Sequence, residues 1–132
     1  MQYRSVYRLH RYPEGRVGYL KWRSDLARFH AQKAGDILHV VGYDQGIIDR
    51  VQEIILKRKL KIDPELQTIE DALCLVFLEL QYDEFIEKHS DEKIIRILRK
   101  TWGKMTDRGR KVALTLDFSE KGTLLLSKAL EN

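Results

Sequence analysis

Apolar residues recur at three- and four-residue steps along most of the chain, which is the pattern of amphipathic helices. The first such stripe runs from about Val17 to Val41 and stops at Gly42, a common residue just beyond a helix C-terminus. Its members are Tyr19, Trp22, Leu26, Phe29, His30, Ala34, Ile37 and Val41. Alternating patterns of strand length are missing from the sequence, which therefore predicts an all-α fold.

Capping residues predict where the later helices begin. Asp63-Pro64 combines an N-cap residue with a proline at the first helical position, so a helix should run from there to about Lys88. Its centre, residues 72–78, is apolar on every side, which predicts a buried helix. Further predicted N-caps are Asp44, Ser90, Thr106 and Ser119.

These elements predict a compact orthogonal bundle of about five to six helices. We expect one helical domain over residues 1–132, with an irregular segment over residues 1–16 that contains a Tyr-Pro-Glu-Gly turn. Of the 132 residues, 43% are hydrophobic and 33% charged, which suits a single globular domain. The longest apolar run, residues 72–78, is far shorter than the ~20 residues of a membrane span. We expect a cytoplasmic protein without a membrane partner.

Charge is segregated along the chain. The net charge of +4 conceals +6 over residues 1–33, −7 over residues 34–87 and +5 over residues 88–132. Basic ends could bind phosphate, and an acidic middle could hold a metal. Ordinary ion pairing between the segments would produce the same pattern, and it is the more common cause.

His30, Glu70 and Asp71 are the candidates for metal chemistry. His30 falls on the apolar stripe, where an inward imidazole needs a hydrogen-bond partner or a metal; a hydrogen-bonded core histidine is the alternative. Glu70 and Asp71 stand at the entrance to the apolar helix, so at least one carboxylate needs a cation, a metal or a proton. Together they predict a metal site inside a helical bundle. A salt bridge to Arg23 or Arg28 is the equal alternative.

Two groups of cations could bind phosphate. Four of the five residues from Lys57 to Lys61 are basic and could hold a phosphate group, although such runs are more often only solvated. Near the C-terminus, cations that could line an RNA surface are Arg96, Arg99, Lys100, Lys104, Arg108, Arg110 and Lys111. The sequence has no RNA-recognition signature. It also lacks a Walker loop, a dinucleotide-binding glycine motif and a nucleophile elbow.

Several segments, in conserved order and spacing, resemble an uncharacterised family named domain of unknown function 4202. They are Tyr12-Pro13, Gly18 to Arg23, Phe29-His30-Ala31, Ala34-Gly35, Gly42-Tyr43, Asp63-Pro64-Glu65, Glu70 to Glu79, Leu98 to Trp102 and Lys104-Met105. The resemblance covers roughly residues 12–118. It implies an all-α fold but no particular activity, since the biochemistry of the family is not established.

The layout of that family is in turn similar to the HD-type metal phosphohydrolases, in which two histidines and two aspartates hold a divalent metal. His30 with Ala34 and Leu38 matches their histidine helix, and Asp71-Ala72-Leu73 matches their later aspartate. The similarity implies His30 and Asp71 as metal ligands and Glu70 as a catalytic, proton-handling carboxylate. It also implies a phosphorylated small molecule or nucleotide as ligand, held by the phosphate-binding residues Arg23, Lys57, Arg58 and Lys61.

The N-terminus departs from the family pattern. Longer relatives carry a Gln-His and an Arg-Trp pair upstream of the Tyr-Pro turn, and this chain begins too late to include them. We therefore expect an N-terminally short member with an incomplete metal and phosphate site, a phosphohydrolase only if that site is active. The alternative is a non-catalytic module that binds RNA, a protein partner or a second copy of itself through its basic ends or an apolar stripe.

The metal hypothesis can be tested directly. If His30 is a ligand, the purified protein will contain a stoichiometric divalent metal by elemental analysis, and His30→Ala will lower that content. His89→Ala is the matched control, because His89 has no partner at ligand spacing in the sequence. Wild-type protein without bound divalent metal would overturn the hypothesis.

Overall fold

The computed structural model describes residues 8–131, which are helical apart from short connections. The helices are α1 (Arg16–Val41), α2 (Gln45–Leu56), α3 (Pro64–Val76), α4 (Tyr82–Lys88), α5 (Asp91–Lys104), α6 (Asp107–Ala113) and α7 (Glu120–Leu130). A short 3-10 helix, Leu9–Arg11, precedes α1. The described residues contain no strand, so the predicted all-α class is confirmed. None of the described helices is both long and apolar enough to cross a membrane.

The predicted helix starts are confirmed, because capping is a local interaction. Each predicted N-cap side chain accepts a hydrogen bond from a backbone N–H in the first turn of its helix. These residues are Asp44, Asp63, Ser90, Thr106 and Ser119. The helix predicted from Pro64 to Lys88 is present, but a π-helical turn over Phe77–Gln81 separates α3 from α4. The irregular N-terminal segment ends at Gly15, and its first seven residues lie outside the described part of the chain.

The chain divides into two compact units, one up to Arg58 and one from Lys59 onward. In the first unit, α1 and α2 form a helical hairpin that packs through small residues. Ala31 and Gly35 of α1 are buried, as is Ile48 of α2. The side-chain amide of Gln52 donates a hydrogen bond to the carbonyl oxygen of Ala31 at 3.0 Å. Small side chains allow the two helix backbones to approach closely.

The packing of α1 corrects the predicted core stripe. We expected the large apolar residues of α1 to face a core, yet Ile37 and Val41 are 53% and 67% exposed. The contact with α2 runs instead along the face that carries Ala31 and Gly35. The apolar period predicts the helix correctly, but the face of α1 that packs on α2 is the one with the small residues.

The second unit has a conventional apolar core. Its most buried large side chains come from α3, α4, α5 and α7, and they are Leu66, Tyr82, Ile94, Leu98 and Leu125. The Tyr82 hydroxyl donates to the carbonyl oxygen of Gly122 at 2.9 Å. Burial raises the pKa of Tyr82 to about 12, and the neighbouring Asp83 carboxylate adds to the shift.

Helix α3 is buried on one side only, which corrects the prediction that it is buried all round. Leu66, Glu70 and Cys74 face the interior, whereas Leu73 and Val76 are 52% and 45% exposed. These interior residues are four positions apart, so they lie on one face of the helix. The second apolar face of α3 therefore remains open in the described structure.

The N-terminal turn packs closely on Gly18 of α1. A Cβ atom placed on Gly18 would lie 1.7 Å from the carbonyl oxygen of Pro13, so no side chain fits without moving the N-terminal turn. We expect Gly18→Ala to lower the free energy of unfolding by about 1–3 kcal/mol, measured by urea denaturation followed by circular dichroism.

Gly103→Ala is the matched control. Gly103 lies in α5 with open space around its Cβ position. Alanine there should leave stability unchanged or raise it by up to ~1 kcal/mol, because alanine is the better helix former. A Gly18→Ala protein as stable as the wild type would show that the turn does not pack tightly on α1.

Candidate functional site

Basic side chains of the first unit gather in one groove between α1 and α2. The groove has a volume of about 680 Å³. Its ionisable lining residues are Arg23, Arg28, His30, Lys57 and Arg58. No aspartate or glutamate is among the described residues that line it. Four of the predicted site residues, namely His30 and the cations at 23, 57 and 58, therefore share one groove.

Helical spacing brings Arg23 and His30 into the groove from α1. The two residues are seven positions apart, which is close to two full turns, so they lie on one face of the helix. Tyr19, one turn before Arg23, accepts a hydrogen bond from the Arg23 guanidinium at 3.2 Å. The guanidinium carbon also lies 6.0 Å from the centre of the Tyr19 ring, within the range of a cation–π interaction. Tyr19 therefore orients Arg23.

Arg28 is held by an ion pair at the edge of the groove. Its guanidinium pairs with Asp25, which also accepts hydrogen bonds from the Tyr12 hydroxyl at 3.0 Å and from Lys21 at 3.3 Å. The hydrogen bond from Tyr12, followed by those from Lys21 and Arg28, lowers the pKa of the Asp25 carboxyl below its ordinary value. This cluster ties the N-terminal segment to α1 and neutralises part of the charge of Arg28.

Lys57 contributes to the groove from a strained backbone position. It ends α2 in the left-handed conformation, with φ of 53° and ψ of 30°, and its N–H donates to the carbonyl oxygen of Ile54 at 3.1 Å. It is the one non-glycine residue with positive φ in the described chain. Glycine is the usual residue at such a position, because a side chain there costs roughly 1–2 kcal/mol. The charge of Lys57 is evident from the sequence, whereas its left-handed backbone conformation is visible only in the structure.

His30 does not face a core, which corrects the expectation drawn from the apolar stripe. Its side chain is exposed and lines the groove, with its ring centre 6.0 Å from that of Phe29. The reason is the small-residue contact at Ala31 and Gly35, which turns the neighbouring face of α1 outward. The imidazole is therefore accessible to a ligand from solvent.

Glu70 and Asp71 belong to the second unit, where both take part in packing. Glu70 is 3% exposed, and its Oε1 lies 4.0 Å from the Lys104 ammonium. Asp71 accepts a hydrogen bond from the Thr106 backbone N–H at 2.8 Å and a second one from the Thr106 hydroxyl. The sequence offered a salt bridge to an arginine as the alternative to a metal. The described partner of Asp71 is neither of these but Thr106.

Asp71 thereby fixes the start of α6. The Thr106 hydroxyl oxygen accepts a hydrogen bond from the Gly109 N–H at 3.1 Å, so the carboxylate, the N-cap and the first turn form one chain of contacts. A Cβ atom placed on Gly109 would lie 2.6 Å from the Asp71 Cγ, which shows how closely α6 approaches α3. Sequence reasoning predicted the N-cap at Thr106 but not its partner, which lies 35 residues earlier in the chain.

Lys61 also lies in the second unit. Its ammonium donates to the carbonyl oxygen of Gly103 at 2.6 Å, near the C-terminus of α5, where cations complement the helix dipole. Among residues 8–131, no three side chains of His, Cys, Asp or Glu form a group suited to a metal ion. His30 and Asp71 belong to different units, and their role as metal ligands stays a prediction.

A substitution at Asp71 measures its structural role. Asp71→Ala should lower the free energy of unfolding by about 1.5–3 kcal/mol. Two hydrogen bonds to a charged group are lost, and the N–H and hydroxyl of Thr106 lose their acceptor. Urea denaturation measures the effect. Glu79→Ala is the control, since Glu79 is exposed and should change stability by less than about 0.5 kcal/mol. Equal stability of the Asp71→Ala and control proteins would contradict this role.

Comparison with known proteins yields one match. No curated protein and no solved structure matches the chain. A family model described as a domain of unknown function, DUF4202, matches residues 4–126 and so spans both compact units. Because the match extends over nearly the whole sequence, the chain belongs to the DUF4202 family.

Proposed function

We propose that this protein binds a phosphorylated small molecule or nucleotide in the groove between α1 and α2. The observation that carries the proposal is the convergence of four cations and His30 on one groove without a carboxylate among its lining residues. Phosphate oxygens accept charge-assisted hydrogen bonds from arginine and lysine, and arginine can supply two parallel bonds at once. A single phosphate group has enough oxygens to use several of these donors.

Helix-end electrostatics offers a simpler reason for some of this charge. Lys57 and Arg58 stand at the C-terminus of α2, where cations are favourable without any ligand. That reason does not apply to Arg23 and His30, which lie in the middle of α1. It also does not account for a lysine in the left-handed position, since a glycine there would avoid the strain. Both features are expected if the groove binds an anion.

The resemblance to HD-type phosphohydrolases supports the same ligand class, since those enzymes act on phosphate esters. In that scheme His30 and Asp71 would bind a divalent metal, and Glu70 would handle a proton. The described residues do not supply a group of three ligands, and Glu70 is buried against Lys104. We therefore propose ligand binding as the function and derive no hydrolytic step.

The substitution Lys57→Gly separates binding from folding. It should weaken the affinity for inorganic pyrophosphate by about fivefold, or about 1 kcal/mol, because one cation of the groove is removed. It should also leave the free energy of unfolding unchanged or raise it by up to ~1 kcal/mol, because glycine relieves the left-handed strain. Isothermal titration calorimetry at low salt measures the first quantity and urea denaturation the second.

Lys33→Ala is the matched control for this experiment. Lys33 is an exposed cation of α1 that does not line the groove, and its removal changes the net charge equally. Pyrophosphate affinity should therefore stay within about twofold of wild type, because exposed charges contribute little. An equal loss in both variants would show that the binding is nonspecific electrostatic attraction, and the proposed function would fail.

A further inference from the structure

We infer that the ligand of this groove is a phosphate ester that carries a flat apolar group, such as an aromatic ring. This inference rests on the proposed function and concerns the part of the ligand beyond the phosphate. The groove has a second set of lining residues besides its cations: Trp22, Leu26, Ala27, Ile55 and Leu56. All of these side chains are half-buried, so each still exposes apolar surface.

An apolar wall is not needed to hold a bare phosphate. Phosphate is fully polar, and apolar surface beside it only removes water from its oxygens. By contrast, an ester with a flat apolar group would cover the exposed parts of Leu26, Ile55 and Leu56, which favours binding by about 25 cal/mol for each Å² removed from water. The combination of cations with half-buried aliphatic side chains thus fits an amphipathic anion.

Trp22 places an aromatic surface next to the phosphate-binding cations. Its ring centre lies 5.7 Å from that of Tyr19 at an interplanar angle of 45°, and Tyr19 in turn orients the Arg23 guanidinium. Trp22 and Arg23 are neighbours in sequence and both line the groove. A ligand whose phosphate binds Arg23 would therefore bring its adjoining group close to the indole, and flat rings pack favourably on such surfaces.

The dimensions of the groove favour a small ester over a polymer. A volume of about 680 Å³ is within the range of roughly 300–1,000 Å³ found for small-molecule sites. Arg23 and His30 are seven positions apart, which is about 10 Å along the helix axis. That length accommodates a phosphate and one ring. An RNA strand would need a basic track that continues beyond the groove.

The test compares phenyl phosphate with inorganic phosphate in a Trp102→Phe background. The chain has two tryptophans, so Trp22 is then the sole indole fluorophore. We expect phenyl phosphate to change the Trp22 emission and to bind about tenfold more tightly than inorganic phosphate by calorimetry, since about 60 Å² of buried apolar surface is enough for that ratio.

Two substitutions distinguish the contribution of the apolar group from that of the phosphate. Leu56→Ala should lower the affinity for phenyl phosphate by about threefold and leave the affinity for inorganic phosphate unchanged, because it removes apolar surface only. Lys57→Gly should lower the affinities for both ligands by the same factor, because it removes a cation that contacts the phosphate group they share. Circular dichroism spectra of both variants should match the wild type, which keeps the comparison free of folding defects.

The outcomes distinguish this inference from the proposed function. Equal affinities for the two ligands, both reduced by Lys57→Gly, would overturn the ligand class and leave phosphate binding intact. Binding of neither ligand would overturn the proposed function itself. Binding of a single-stranded RNA oligonucleotide without binding of phenyl phosphate would also overturn the inference, and it would favour the RNA-binding alternative.

Discussion

The close contact of α1 with α2 at Ala31 and Gly35 is the interaction on which the candidate site depends. The absence of a large side chain at Gly35 leaves room for the Gln52 amide, which donates to the Ala31 carbonyl oxygen. With the helices joined along that line, the adjacent face of α1 turns toward solvent and carries Arg23 and His30 into a groove. A side chain at Gly35 would displace the Gln52 amide and break its hydrogen bond to Ala31.

The acidic middle of the chain serves packing in the second unit. Asp71 holds the start of α6 through Thr106, and Glu70 lies against Lys104. Of these two contacts only Glu70 with Lys104 is an ion pair, whereas Asp71 accepts hydrogen bonds from the uncharged Thr106. Asp71 also shows why a carboxylate next to an apolar run is a weak indicator of a metal, since the hydroxyl and N–H of a residue far along the chain can supply its hydrogen bonds.

The cations of the first unit are arranged differently from the acidic pair. They share one groove whose described lining residues include no carboxylate, and Arg28 pairs with Asp25 at its edge. Lys57 adds backbone strain, which persists in proteins when the surrounding structure or the function requires the side chain. This groove combines exposed cations, half-buried apolar side chains and a lysine in a strained backbone conformation. A run of surface cations that is only solvated would need neither the apolar side chains nor the strain.

Much of the local structure was determined by the sequence alone. The caps at Asp44, Asp63 and Thr106 act within one helical turn, so residues three positions apart suffice to predict them. The all-α class and the cationic character of the α2 C-terminus follow from the same short-range patterns. The likeness to the DUF4202 family was also readable from ordered motifs, and the family match confirms it.

Only the tertiary structure decided which helix faces are buried and which charges share a site. The apolar period of α1 predicted a helix correctly, yet Ala31 and Gly35 form its contact with α2 while His30 is exposed. The partner of Asp71 lies 35 residues away, beyond the reach of any local pattern. Periodicity gives the positions that lie on one face, whereas burial depends on which surface another helix covers.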